Sequence, residues 1–136
     1  MRFLKDQRGI ELLEAAITTP IAILMMLAIV NLGMVVYAQQ AVQAAARHGA
    51  RMGSVAQVCP ACYAISGARS AIAQAGIVEK ASVSVLAPGG SAGSILKIEV
   101  SGSVTNFLSP LTGLFPGLPG ENFQVRADST FRQEGW

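Results

Sequence analysis

Three groups of residues have types and spacings that could do chemistry. The first is Glu14, the last charged side chain before 32 consecutive uncharged residues that end at Arg47. A carboxylate costs about 2.5 to 3.5 kcal/mol near the centre of a membrane span and less toward its end. Glu14 therefore needs either a cationic partner or a place in the headgroup region, where the dipole of a helix N-terminus favours it. The second group is Cys59-Pro60-Ala61-Cys62, and the third is His48, the only histidine of the chain.

The two cysteines allow three chemistries. A thioredoxin-like redox site needs the pair at a helix start in a βαβ context, and no strand is expected before this one. A zinc site needs two further ligands, which a single histidine does not supply. A structural disulfide needs only an oxidising compartment and is the favoured reading, with the bond pinning a turn. Beyond these residues the sequence offers no metal-ligand cluster, no phosphate-binding glycine loop and no nucleophile with a recognisable base. An enzyme is not expected, nor is a cofactor.

The elements that must position these groups follow from the pattern of apolar residues. Ala15 to Ala38 is 24 residues long with Thr18, Thr19 and Asn31 as its only strongly polar side chains. As a helix it would reach about 36 Å, enough to cross a hydrocarbon core of about 30 Å with some tilt. Within residues 1–9, Arg2, Lys5 and Arg8 stand against a single acid, Asp6. That bias predicts a cytoplasmic N-terminus and an extracytoplasmic C-terminal part. Val36-Tyr37-Ala38 offers a rival cut by an ordinary signal peptidase, although the apolar run is long for that purpose.

One helix is expected from Ile10 to about Val55, roughly 69 Å at the standard rise. Pro20 removes the hydrogen bond to the carbonyl of Ala16, which predicts a local bend or melt eased by Thr18 and Thr19. Farther along, Ala41, Ala45, Gly49 and Gly53 recur every fourth residue. They form a stripe of small side chains against which the chain's own sheet, or a helix of another subunit, can pack closely.

A second helix is expected from Tyr63 to Ala75, capped by Gly76. Strands follow over Ala81–Leu86, Ile95–Val104 and Phe123–Phe131, the first two joined by a Gly-rich turn. Between the last two lies Phe107–Gly120, rich in Pro and Gly yet also apolar, with Phe107, Leu108, Leu111, Leu114, Phe115 and Leu118. It either folds over the open side of the sheet or contacts a partner. The fold class is therefore α+β: a long N-terminal transmembrane helix continuing into a small extracytoplasmic domain with a second helix and a three-stranded antiparallel sheet.

Residues around both ends of the span resemble those of TadE-like pseudopilins, type IV prepilin-like proteins of tight-adherence pili. Gly9-Ile10-Glu11-Leu12-Leu13-Glu14 is similar to a prepilin processing site, with Gly9 at the cut and Glu14 as the glutamate at the fifth position of the processed chain. Pro20, Tyr37 and Ala44-Ala45-Ala46-Arg47-His48-Gly49-Ala50-Arg51 continue the likeness, and Ala127-Asp128-Ser129-Thr130-Phe131-Arg132-Gln133-Glu134 is loosely similar to the family's last strand. Ala15 stands where an aromatic residue is usual, and Glu11 is a second acid. The resemblance divides the chain into a leader (1–9), a long helix (10–55) and an outer domain (56–136).

The resemblance implies a pilin-like subunit in the cytoplasmic membrane, assembled into a filament for adhesion or secretion. Its implied partners are a prepilin peptidase, other pilin subunits, and an assembly ATPase with its membrane platform. Cutting after Gly9 would expose the Ile10 α-amino group, which at a reference pKa of about 8 is mostly protonated and able to pair with a Glu14 on the next subunit. The processed chain would carry seven basic and seven acidic side chains. That balance gives no support for nucleic-acid binding. A static single-span anchor whose outer domain binds an envelope partner is the alternative.

Overall fold

The computed structural model describes residues 7–113, 116–117 and 119–134. Its first element, α1 (Gln7–Ser54), is a single helix of 48 residues. The helix runs unbroken through Pro20. The expected local melt is therefore absent, because a helix of this length has intact hydrogen bonds on both sides of the one that proline removes. The Thr18 hydroxyl donates to the carbonyl of Glu14 at 2.8 Å, not to the carbonyl of Ala16 that proline leaves free.

At its far end α1 stops where the Ser54 hydroxyl donates to Arg51 O and Ala56 N bonds back to Gly53 O. A short turn leads into α2 (Pro60–Ala75). This helix begins three residues earlier than its apolar spacing suggested. Pro60 sits in the first turn, where its missing N–H is no loss, and Cys62 N and Tyr63 N both bond to Cys59 O. Gly76 closes α2 in the left-handed conformation, as a C-terminal glycine should.

Strands β1 (Glu79–Pro88), β2 (Ile95–Val104) and β3 (Phe123–Arg132) form an antiparallel sheet in the order β1-β2-β3. The central strand alternates as expected. Leu96, Ile98 and Val100 are fully buried, while Lys97 and Glu99 lie on the opposite, wetter face. There Lys97 pairs with Asp128 at 3.0 Å, and Arg126 pairs with Glu99. The core is the layer between that sheet and the two helices: Val42, Ala45, Ala46 and Ala50 from α1, Ala64, Ala68 and Ile72 from α2, and Leu96, Ile98, Val100, Val104 and Val125 from the sheet.

Three contacts fix how the sheet lies along α1. Asn31 Nδ2 donates to Asn106 Oδ1, Gln39 Nε2 donates to Arg126 O, and Glu134 N donates to Ser54 O. Between the last two, the helix advances about 22 Å and the strand about 26 Å at their standard rises. Strand β3 therefore runs alongside α1 and in the same direction. The β2–β3 loop sits at the end of the domain nearer the helix N-terminus, and the α1–α2 turn sits at the far end. Among its described residues that loop contains a 3-10 turn, Ser109–Leu111, while Leu114, Phe115 and Leu118 lie outside the described residues.

Candidate functional site

Below the domain α1 projects without cover. Ile10, Leu13, Ile17, Ile21, Met25 and Met26 are exposed, and exposure reaches 75% at Leu12 and 69% at Ile29. A free apolar surface of this size on a water-soluble monomer would be unfavourable by many kcal/mol at about 25 cal/mol per Å². The helix is long and apolar enough to cross a membrane. At its foot stand Gly9, with nothing within 4 Å of where a Cβ would be, and the exposed residues Ile10, Glu11 and Glu14. Among the described residues Glu14 makes no ion pair. Pro20 lies on this same exposed stretch, one and a half turns above Glu14.

The small-residue stripe lies inside the molecule. A Cβ on Gly49 would come within 2.5 Å of the Ala64 carbonyl oxygen and 2.7 Å of the Ala68 methyl, with Ile98 Cδ1 at 2.8 Å. One on Gly53 would strike Leu96, with the Pro60 carbonyl oxygen at 2.7 Å and the Ala64 methyl at 2.8 Å. Ala45 is buried and Ala41 half-buried on the same line. The stripe's close neighbours are thus α2 and, equally near, the Leu96 and Ile98 side chains of β2. The two glycines let the helix backbones meet where any side chain would hold them apart.

Where the helix enters the domain, Asn31 is only 3% exposed. Its partner Asn106 is saturated. Asn106 Oδ1 accepts from Asn31 Nδ2 at 2.8 Å and from Leu108 N at 3.0 Å, and Asn106 Nδ2 donates to Pro119 O and Glu121 O. The sequence marked Asn31 as one of three strongly polar side chains in the apolar run. Its actual partner is a loop 75 positions away. A second asparagine at the head of an uncharged apolar loop was the available signal.

At the far pole, the sulfurs of Cys59 and Cys62 are bonded, with their Cα atoms 5.3 Å apart. The bond closes the first turn of α2. Gln133 Nε2 donates to Ala56 O at 2.7 Å, which ties the end of β3 to the same turn. Of the groups outside the apolar helix, Asp128 is held below the ordinary carboxylate range, chiefly by its hydrogen bond from Lys97 and then by that lysine's charge.

Residues 9–51 match the family model described as TadE-like protein. The chain is TadE-like over this helix. The matched segment starts at the glycine at the foot of α1 and ends at Arg51, one turn short of the helix terminus. It includes Glu14, Pro20, Ala41, Ala45 and Gly49. It leaves out Gly53, the disulfide and the whole sheet. No curated protein and no solved structure matches the chain.

The TadE-like segment and the observed geometry divide the expected site residues into two groups. Gly9, Ile10, Glu14 and Pro20 share one exposed stretch of helix. Ala41, Ala45, Gly49 and Gly53 belong with Cys59 and Cys62 to the folding of the domain itself. Only the first group remains free to meet another molecule.

Proposed function

We propose that this TadE-like chain is a pilin-like or pseudopilin subunit of a tight-adherence pilus. It is cut after Gly9 by a prepilin peptidase and assembled through its N-terminal helix into a filament for adhesion or secretion. The observation that carries the reading is the uncovered apolar helix from Ile10 to Val30 joined rigidly to a small folded domain. In the cytoplasmic membrane lipid covers that surface, with the N-terminus on the cytoplasmic side. In a filament the helices of other subunits cover it instead.

Lipid tails are about as apolar as leucine, so exchanging lipid for helix contacts is nearly balanced. A polar term must then set the stagger. Cutting after Gly9 creates a cationic α-amino group on Ile10, and Glu14 of a neighbouring subunit is the acid within lipid that it would neutralise. Little opposes access to the bond. It lies in the first turns of α1, glycine weakens a helix by about 1 kcal/mol relative to alanine, and nothing packs on Gly9. The assembly ATPase and its membrane platform would supply the work of extraction.

Intact mass of the membrane-extracted protein tests the reading. Loss of residues 1–9 is expected, and Gly9→Val should abolish that loss. Glu14→Val should still be cut but should not form filaments. A native chain recovered with Met1 in place would overturn the proposal in favour of a static anchor, and one lacking residues 1–38 would point to an ordinary signal peptidase.

A further inference from the structure

We propose that the first part of the β2–β3 loop, residues 105–113, is a membrane-surface contact that rests in the headgroup and acyl boundary of the leaflet through which α1 leaves the bilayer, with Phe107 facing lipid. This inference rests on the membrane-spanning part of the reading above. A hydrocarbon core of about 30 Å takes roughly 20 helical residues. Counted from Ala15 those 20 residues end at Met34, and counted from Ile10, with Glu14 inside lipid as proposed above, they end at Ile29. The loop docks between those two levels, because Asn106 meets Asn31, three residues and about 4.5 Å nearer the membrane centre than Met34. The same helical face is half-buried farther down, at Leu27 and Leu24.

The composition of the loop fits that depth. From Thr105 to Gly120 there is no charged side chain, and the next residue is Glu121. Phe107 is 49% exposed, Pro110 is exposed and Leu111 is half-buried, so the loop offers apolar surface beyond what it buries on α1. Several of its described backbone groups are satisfied internally. Asn106 takes up Leu108 N, Pro119 O and Glu121 O, and the Ser109 hydroxyl donates to Gly120 O. A loop at the edge of lipid requires such self-satisfaction. Tyr37, exposed one turn above Gly33 on α1, stands at the level where aromatic side chains favour the interface. The nearest charges, Glu79, whose carboxylate accepts from the Thr105 hydroxyl, and Glu121, flank the loop at the base of the sheet.

The test is bromolipid quenching of single tryptophans in the full chain. Trp136, the only native tryptophan, is first replaced by phenylalanine. Phe107→Trp is the probe, Ile23→Trp reports the span, and Leu86→Trp, exposed in the outer half of β1, reports water. Each variant is reconstituted at low protein density into phosphatidylethanolamine and phosphatidylglycerol vesicles, with bromine placed either high or deep on the acyl chains. The Phe107→Trp emission should be blue-shifted and should lose most of its intensity to the shallow bromines, while Leu86→Trp stays unquenched. A Phe107→Trp emission as unquenched as that of Leu86→Trp, beside a quenched Ile23→Trp, overturns the proposal and leaves the span intact. A blue-shifted but unquenched emission also overturns it, in favour of a protein partner on the loop. An unquenched Ile23→Trp removes the span and the proposal together.

Discussion

Asn31 and Asn106 share a buried hydrogen bond of 2.8 Å between residues 75 apart in sequence, and this bond joins the helix to the end of the domain nearer the helix N-terminus. The two partners are unequal. Asn106 serves four groups, whereas Asn31 Oδ1 is buried without a hydrogen-bond partner among the described residues.

That inequality predicts an asymmetric pair of variants. Asn106→Ala strands several buried groups, each worth roughly 1 to 3 kcal/mol when left unmade, and should lower stability on the order of 3 kcal/mol. Asn31→Leu removes one bond together with an unpaired oxygen and should cost less than about 1 kcal/mol. Unfolding in detergent micelles measures both. Equal losses would show that the bond itself, rather than the organisation of the loop by Asn106, holds this end.

Among the glycines of α1, position decides the outcome of adding one methyl. Gly49→Ala and Gly53→Ala place a Cβ against backbone carbonyls of α2 and should each destabilise by about 1 to 3 kcal/mol, the cost of overpacking. Gly33→Ala meets open space and should be neutral or gain up to about 1 kcal/mol of helix propensity. Thermal or chemical unfolding of the three single variants provides the comparison. A destabilised Gly33→Ala with an unaffected Gly49→Ala would contradict the packing described for the stripe.

Reduction of the disulfide should weaken the α1–α2 junction without unfolding the domain. Closing a four-residue loop is worth about 2 kcal/mol by chain-entropy arithmetic. Cys59 holds φ at 48°, a left-handed conformation that costs a non-glycine residue roughly 1 to 2 kcal/mol. Cys59→Gly/Cys62→Ser should therefore be more stable than Cys59→Ser/Cys62→Ser. If the two double variants unfold together, the turn has relaxed out of that conformation once the bond is gone.

Acid should act on the sheet through Asp128. Its folded pKa lies below the ordinary value of 3.8 because Lys97 hydrogen-bonds and attracts the carboxylate. A depressed acid contributes stability above its unfolded pKa and loses that contribution as pH falls through the lower folded value. The pair is exposed, so salt should weaken it. Carboxyl NMR titration should give a midpoint below 3.8 that moves up in Lys97→Ala. A midpoint indifferent to Lys97→Ala would remove the pair as its cause.

Much of this architecture is legible from residue order because it rests on local periodicity. The uncharged run after Glu14, the alternation of Leu96, Ile98 and Val100 with Lys97 and Glu99, and Gly76 after a helical stretch each declare an element within a few residues of its observed bounds. The start of α2 was less legible. Cys59-Pro60-Ala61-Cys62 suggests a turn, and only the bonds from Cys62 N and Tyr63 N to Cys59 O show that the helix has already begun. Pro20 suggests a break that the intact helix on both sides overrides.

By itself the sequence determined which stretches become helix or strand, which stretch is apolar enough to sit in lipid, and which glycine and acid flank its start, because backbone propensity and hydrophobic period act over neighbouring residues. Only the tertiary structure decided that Gly49 and Gly53 close on α2 and β2, that Asn31 takes its partner from a distant loop, and that this loop stands at the end of the domain nearer the helix N-terminus. Those facts depend on which surfaces meet when the chain folds back on itself, and side-chain packing across 75 residues leaves no periodic trace in the order of the amino acids.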